Sequence, residues 1–295
     1  LRNVRGEWLA YKDLPIVIGH EASGIVEEVG KNVTRFKKKD HVYTAPNIFC
    51  GQCAYCKRGA TNLCSNRKVI GLHYPGFHSE FFVCDEKSLY KLPNHIDFSI
   101  GSLVGDTLGT AYHALKRVQI LSDEIVAIWG LGPIGVTIAQ LTKNIGAQVI
   151  AIDVIPDRIK LAKKLGMNYS IDSDKARDLI MQVSKNEGVD VSIEATGIDI
   201  VLENAFNTTC KGGRILVVGI HSEKMNLYTL ALSYREMSMI GTFSHLFSES
   251  EEIIKVIDSI NLESLISHTF SLEEINEAYR LFISKKTNKV ILNPQ

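Results

Sequence analysis

No stretch of this 295-residue sequence stays apolar over the roughly 18 residues that a membrane span needs. It shows no tripartite leader of charged, apolar and small residues either. Charge of one sign is also lacking: 33 Lys and Arg stand against 33 Asp and Glu, a formal net charge of zero. That balance argues against a partner held mainly by electrostatics, so neither nucleic acid nor a membrane surface is expected. Repeats and low-complexity segments are absent. Cysteine is scarce and uneven: of six, Cys50, Cys53, Cys56 and Cys64 crowd into fifteen residues, while Cys84 and Cys210 stand alone. A secreted disulfide framework would spread its cysteines more widely. The cytoplasm is therefore the expected compartment, and the length suits two domains or one large one.

What is present falls into three zones. Residues 1 to 118 are rich in Gly, Pro, Cys and short β-like runs, such as 23–29, 41–44 and 80–84. Short strands between turn residues predict a small barrel or sandwich. From about residue 122 the rhythm changes. Ile125-Val126-Ala127-Ile128-Trp129 is a continuous apolar run, as in a strand covered on both faces. Ile134, Ile138, Leu141 and Ile145 follow at helical spacing, with Gly146 as a C-cap. Further strands are predicted at 149–152, 189–193, 215–218 and 239–240, mostly with helical segments between them. This alternation predicts an α/β fold, a Rossmann doubly wound parallel sheet. The third zone, 265–295, holds a β-like run at 266–270, a capping box from Ser271 to Glu274, one helix and a last strand at 289–292. It is too small to fold alone. We expect it to rejoin residues 1–118, with the nucleotide domain, 119–264, inserted between.

Gly130-Leu131-Gly132-Pro133-Ile134-Gly135 spells G-x-G-x-x-G between a strand and a helix. In that setting Gly130 makes the tight turn, Gly132 admits a pyrophosphate, and Gly135 lets helix and strand pack closely. The helix N-terminus then turns its unsatisfied N–H groups toward the phosphates. Asp153, 18 residues beyond Gly135, ends the next strand, where a carboxylate accepts the adenosine ribose hydroxyls. A 2′-phosphate there would meet like charge, which favours NAD over NADP. An S-adenosylmethionine site uses a similar turn and acidic strand end, and is the rival reading of the motif.

Cys50-x-x-Cys53-x-x-Cys56 and Cys64 can wrap one zinc tetrahedrally. Four sulfurs leave no open coordination position, so this zinc is expected to be structural. Cysteines three apart on a tight loop make poor disulfide partners for one another. A nucleic-acid-binding zinc knuckle is the alternative, and the neutral charge weighs against it.

Gly19-His20-Glu21-Ala22-Ser23-Gly24, then the four-cysteine loop, then the glycine-rich turn resemble the medium-chain zinc-dependent alcohol dehydrogenases over essentially the whole chain. The resemblance implies a GroES-like β-barrel catalytic domain and a second, catalytic zinc. His20 matches the family's histidine ligand, and Glu21 a neighbouring glutamate that binds or approaches the metal. Asp106 falls where many members have Cys and others an acidic residue. Thr110 and Ile134 would pack on the nicotinamide, with Val218 near its carboxamide, Arg158 near the adenosine ribose and Lys289 near the pyrophosphate. The family's first catalytic ligand, a Cys about two dozen residues before the histidine, would lie upstream of Leu1, and Arg2 stands where many members have a His. The catalytic site is thus expected to be incomplete in this chain, and the natural protein to be longer. His20 and Asp106 are expected to approach within about 4 Å in a cleft between the domains, since both would ligate at about 2.0–2.2 Å.

The implied reaction is hydride transfer between an alcohol, primary, secondary or polyol, and NAD, giving an aldehyde or ketone. Zinc would act on the alcohol oxygen as a Lewis acid. L-threonine and sugar dehydrogenases share these motifs. A degenerate NAD-binding relative without catalysis and a zinc-free reductase of the same fold are the alternatives. His73 and His78, in a Gly-Pro-containing loop, are further candidates for the substrate cleft. The family's habit of pairing implies a homodimer, or a homotetramer made of two, joined near residues 237–250.

Overall fold

A computed structural model of the protein describes residues 15–221, 229–284 and 286–294. They divide into two units. The first draws on the described residues of Leu1–Gly109, His245–Ile257 and Leu262–Gln295; the second comprises those of Thr110–Ser244 and Asp258–Asn261. Against the expected change at 118/119, the chain enters the second unit within the helix Gly109–Val118. It returns at His245 rather than at 265, with one short excursion back at Asp258–Asn261. Residues Leu1 and Arg2 lie outside the described residues.

In the first unit, β1 (Ser23–Ile25), β2 (His41–Thr44) and β5 (Leu89–Lys91) form an antiparallel sheet with β2 in the centre. β3 (Asn47–Ile48) and β4 (Lys68–Val69) pair beside it in sequence as a second, two-stranded sheet. Val26, Phe36 and Val42 make a small core with Val33 and Leu89 packed on it. The run 80–84, predicted as a strand, has no partner strand among the described residues, and Val83 is 99% exposed. An apolar extended run becomes a strand only when another strand takes its N–H and C=O groups, and among the described residues none does so here.

The second unit is built on six parallel strands: β6 (Ile125–Trp129), β7 (Gln148–Asp153), β8 (Tyr169–Asp172), β9 (Val189–Glu194), β10 (Thr209–Val217) and β11 (Ser238–Gly241). Their spatial order is β8-β7-β6-β9-β10-β11, the order of the doubly wound dinucleotide fold. Val126, Ala127 and Ile128 of central β6 are fully buried, which is why its sequence is a continuous apolar run rather than an alternating one. The chain moves outward from β6 through β7 to β8, then crosses back to β9 on the other side of β6. This reversal opens a crevice at the carboxyl ends of β6 and β9. The helix Pro133–Ile145 leaves β6 with Gly132 as N-cap and Pro133 in its first turn, and stops at Gly146, whose φ of 102° only glycine adopts easily.

The chain ends in the first unit with β12 (Ile266–Ser271), the helix Ile275–Ile283 and β13 (Lys289–Asn293), a parallel pair with its crossover helix. The expected capping box is half made. The Ser271 N–H donates to Glu274 at 2.9 Å, whereas the Ser271 hydroxyl goes to Glu273 and the helix starts only at Ile275. Among the described residues no helix is long and apolar enough to cross a membrane.

Candidate active site

Two glycines place the acidic and imidazole groups of the first unit. Gly19 has φ +94°, and a side-chain carbon there would stand 2.3 Å from the His78 ring, so only glycine fits. The next residues are pinned to β2: Ala22 N–H donates to the Thr44 hydroxyl at 3.1 Å, and Thr44 N–H to the Ala22 carbonyl at 2.9 Å. The segment Val104–Leu108 is a π-helical turn, a form often found at functional sites. Its Gly105 lies so close to β2 that an added carbon would be 1.7 Å from the Thr44 carbonyl oxygen. Thr44 is thus the common support of both segments.

The result is that His20, Glu21 and Asp106 bring one ligand atom each within 4.8 Å of one another. His20 Nε2 lies 3.5 Å from Asp106 Oδ2, inside the expected 4 Å. Glu21 is held from both sides, by the Thr107 hydroxyl at 2.8 Å on Oε1 and by the Lys289 ammonium on Oε2. Burial works against the His20 imidazolium, but the hydrogen bond and charge of Asp106, then the charge of Glu21, raise its pKa above the ordinary value. Burial alone would push Asp106 up; His20, Lys289 and His245 outweigh it and hold its carboxyl well below the usual range. A nitrogen and carboxylate oxygens this close together form a donor set that suits zinc. A cavity of about 1060 Å³ in this unit is lined by His20, Glu21, Asp106, His78, Tyr279 and Lys289 among others. His78 faces it, with its Nδ1 3.2 Å from the Tyr279 hydroxyl. His73 does not: it accepts the Val69 N–H at 3.0 Å and closes a local turn.

The four cysteines converge as their spacing predicts. All are free thiols, and one ligand atom from each lies within 4.8 Å of the others. Cys53 and Cys64 sulfurs are 3.9 Å apart, against about 3.8 Å for sulfurs 2.3 Å from one tetrahedral ion. Backbone N–H groups point at the sulfurs, Cys50 to Cys64 at 3.3 Å and Cys53 to Cys50 at 3.4 Å. Hydrogen bonds from the N–H groups of Cys56 and Ser65 lower the Cys53 pKa to about 6. Burial pushes the Cys56 thiol up to about 12, so a cation is needed to hold the full thiolate set. The cluster fits a structural zinc.

In the second unit the glycine-rich turn has the geometry its sequence predicts. Gly130 has φ +97°; a carbon added at Gly135 would stand 1.9 Å from the Gly130 carbonyl oxygen, whereas at Gly132 it would meet open space. Gly132 caps the helix without a side-chain bond, so the N–H groups there face that space. This cradle fits a pyrophosphate. Asp153, 7% exposed, accepts from Leu131 N–H at 2.7 Å through Oδ2 and from Val154 and Ile155 N–H through Oδ1. Arg158 lies 3.5 Å from the same carboxylate. Pro133 and Ile134 are half-buried in the first helical turn, and Val218 N–H donates to the Glu194 carbonyl at 2.8 Å. Thr110 is buried near the start of the helix Gly109–Val118. Lys289, expected near the pyrophosphate, is placed in the first unit with its ammonium on Glu21. Sequence reasoning missed Thr107, Tyr279, Glu194 and His221. Only Glu194, an acid closing a buried strand run, carried a usable signal.

Comparison with known proteins agrees with this geometry. A family model described as an alcohol dehydrogenase GroES-like domain matches residues 1–94, and one described as a zinc-binding dehydrogenase matches 133–260. An L-threonine 3-dehydrogenase from Alteromonas mediterranea is 29% identical over 96% of this chain and 84% of its own length. A sorbitol dehydrogenase from Halalkalibacterium halodurans is 28% identical over 95% and 84%. Among solved structures, an alcohol dehydrogenase from Aeropyrum pernix superposes with a TM-score of 0.91 at 27% identity, covering 99% of this chain and 88% of that one. A 2R,3R-butanediol dehydrogenase from Bacillus subtilis gives 0.85 at 26%, covering 98% and 83%. With both halves matched in order, and with the cysteine cluster and glycine turn in place, the chain belongs to the medium-chain zinc-dependent alcohol dehydrogenase family, oxidoreductases that act on CH–OH donors with a nicotinamide dinucleotide.

Proposed function

We propose that this protein oxidises a secondary alcohol carrying a neighbouring hydroxyl or amino group to the ketone, with NAD rather than NADP as acceptor. The reaction is alcohol plus NAD⁺ to ketone plus NADH plus a proton. The observation that carries the reading is the convergence of His20, Glu21 and Asp106 on one cavity. The names of three relatives, L-threonine 3-dehydrogenase, sorbitol dehydrogenase and 2R,3R-butanediol dehydrogenase, share that substrate class.

In this reading the first unit is the catalytic, zinc-binding domain and the second the NAD-binding domain. His20 and Asp106 would hold a catalytic zinc, which when bound would supply Lewis acidity toward the substrate oxygen, with NAD as the hydride acceptor. Glu21, with both oxygens already engaged by Thr107 and Lys289, supports the site by charge rather than by ligation. Lys289 is its counter-charge. Asp153 takes the adenosine ribose, with Arg158 beside it; Gly130, Gly132, Pro133 and Gly135 shape the pyrophosphate cradle. Thr110, Ile134 and Val218 are assigned to the nicotinamide end. Six free cysteines suit a reducing compartment, the cytoplasm.

Initial rates with L-threonine, sorbitol, 2,3-butanediol and ethanol, each with NAD and NADP, test the reading. Higher kcat/KM for one of the first three with NAD is expected. A preference for ethanol or for NADP overturns it, and zinc and NAD binding without turnover would point to a degenerate relative. We further assign a symmetric dimer, or a tetramer made of two, joined through the segment 237–250. Among the described residues β11 is an edge strand paired only with β10, which supports this surface. Light scattering at micromolar concentration should give at least the dimer mass; a monomer rejects the assignment.

A further inference from the structure

The turn after β9 and the loop after β10 are tied together by one histidine. Glu194, the last residue of β9, has a fully buried side chain. Its Oε1 accepts the N–H groups of Thr196 at 2.6 Å and Gly197 at 3.0 Å, and also the Thr196 hydroxyl. Its Oε2 lies 2.7 Å from His221 Nε2, and the other ring nitrogen, Nδ1, lies 3.0 Å from Asp199 Oδ1. Ionised carboxylates only accept, so an imidazole bridging two of them must donate from both nitrogens, which only the imidazolium can do. A buried carboxylate also needs such a cation close by. Among the described residues, the charged groups acting on the ring are Asp199, at the start of the helix Asp199–Thr208, and Glu194.

The same clamp shapes the backbone. Val218 and Gly219 N–H groups both donate to the Glu194 carbonyl, and Gly197 packs so tightly on the Ile220 carbonyl that an added carbon would stand 2.5 Å from it. The turn in turn abuts the glycine-rich motif: a carbon at Gly130 would be 2.6 Å from Thr196 Cγ2. A dinucleotide bound at the crevice between β6 and β9 has its pyrophosphate over Gly132 and its adenosine toward Asp153, on the β7 side. Its other half must then lie over the carboxyl ends of β9 and β10.

We propose that His221 is a positioning residue for the nicotinamide half of the cofactor: as a cation bridging Glu194 and Asp199 it fixes the 218–221 loop on which that half rests. The inference rests on the NAD-binding reading above. Burial opposes the charge, but hydrogen bonds and charge from Asp199 and Glu194 prevail and keep the ring protonated above the usual histidine range. The loop is therefore held while the ring is protonated and released as pH rises through its raised pKa.

Isothermal titration of the zinc-loaded full chain with NAD and with ADP-ribose, which lacks nicotinamide, tests this from about pH 6 to about pH 9.5. Wild-type NAD affinity should fall about tenfold as His221 loses its proton, while ADP-ribose affinity stays flat. His221→Gln should bind NAD about tenfold more weakly at low pH and show no such transition. Asp199→Asn, which keeps the hydrogen bond but removes a charge, should move the transition to lower pH. That shift is a signature that simple packing would not produce, and it keeps the test open if His221→Gln folds poorly. Variants that bind NAD like wild type, or that lose NAD and ADP-ribose equally, overturn the role of His221 and leave the NAD reading standing. If wild type binds no ADP-ribose, that reading itself fails, and the inference with it.

Discussion

A single carboxylate can serve the fold and the ligand together, and Asp153, which the proposed function assigns to the adenosine ribose, already serves the fold. Its oxygens satisfy three backbone N–H groups of the Leu131 turn and the strand end, so it shapes the turn that any dinucleotide meets. Asp153→Ser should weaken NAD on the order of tenfold and shrink the NAD-over-NADP bias. It should also cost about 1–3 kcal/mol of stability, because buried donors lose their acceptor. Paired dissociation constants and a thermal melt check both; unchanged discrimination would remove Asp153 from the specificity assignment. His221 makes a separate prediction about stability. Its pKa is raised in the folded state, so its stabilisation is complete below the unfolded value of about 6.5 and is lost as pH rises through the raised folded value. The gap between wild-type and His221→Gln urea midpoints should therefore narrow from low to high pH. A gap that widens would contradict the sign.

At the level of elements, two close approaches of backbone to backbone set the positions of the proposed functional groups. A carbon at Gly105 would be 1.7 Å from the Thr44 carbonyl oxygen, which belongs to strand β2 and cannot swing away. Gly105→Ala should cost on the order of 3 kcal/mol and displace Asp106 from His20. A lowered melting temperature together with loss of the weaker zinc checks this; a wild-type melt would refute it. Gly135→Ala, whose new carbon meets the Gly130 carbonyl oxygen at 1.9 Å, should abolish NAD binding and leave zinc content unchanged. Five of the six strands of the second unit were legible, clearest in β6, β7 and β9, which are buried on both faces and read as apolar runs, whereas β8 at the sheet edge, only half-buried along its length, was missed. The run 80–84 carries the strand signal in its apolar residues, but no strand pairs with it among the described residues.

For the whole molecule, metal removal should separate two roles. A mild chelator is expected to take zinc from the His20 and Asp106 site first, abolishing turnover while the melting temperature barely moves. Loss of the four-cysteine zinc, or Cys50→Ser, should cost on the order of several kcal/mol, because binding free energy at a closed site is folding free energy. Zinc content by mass spectrometry against the melt distinguishes the two, and a Cys50→Ser protein that melts like wild type would exclude the structural role. The sequence by itself determined the dinucleotide turn, Asp153 and the cysteine cluster, since their chemistry is written in local spacing that a single turn or loop closes. Tertiary structure alone decided that Lys289 meets Glu21, that Tyr279 meets His78, and that His221 bridges Glu194 and Asp199. The first two pairs join residues some 200 or more positions apart, and the third joins loops after different strands. No local period encodes such contacts, because they form only when packing brings distant segments together.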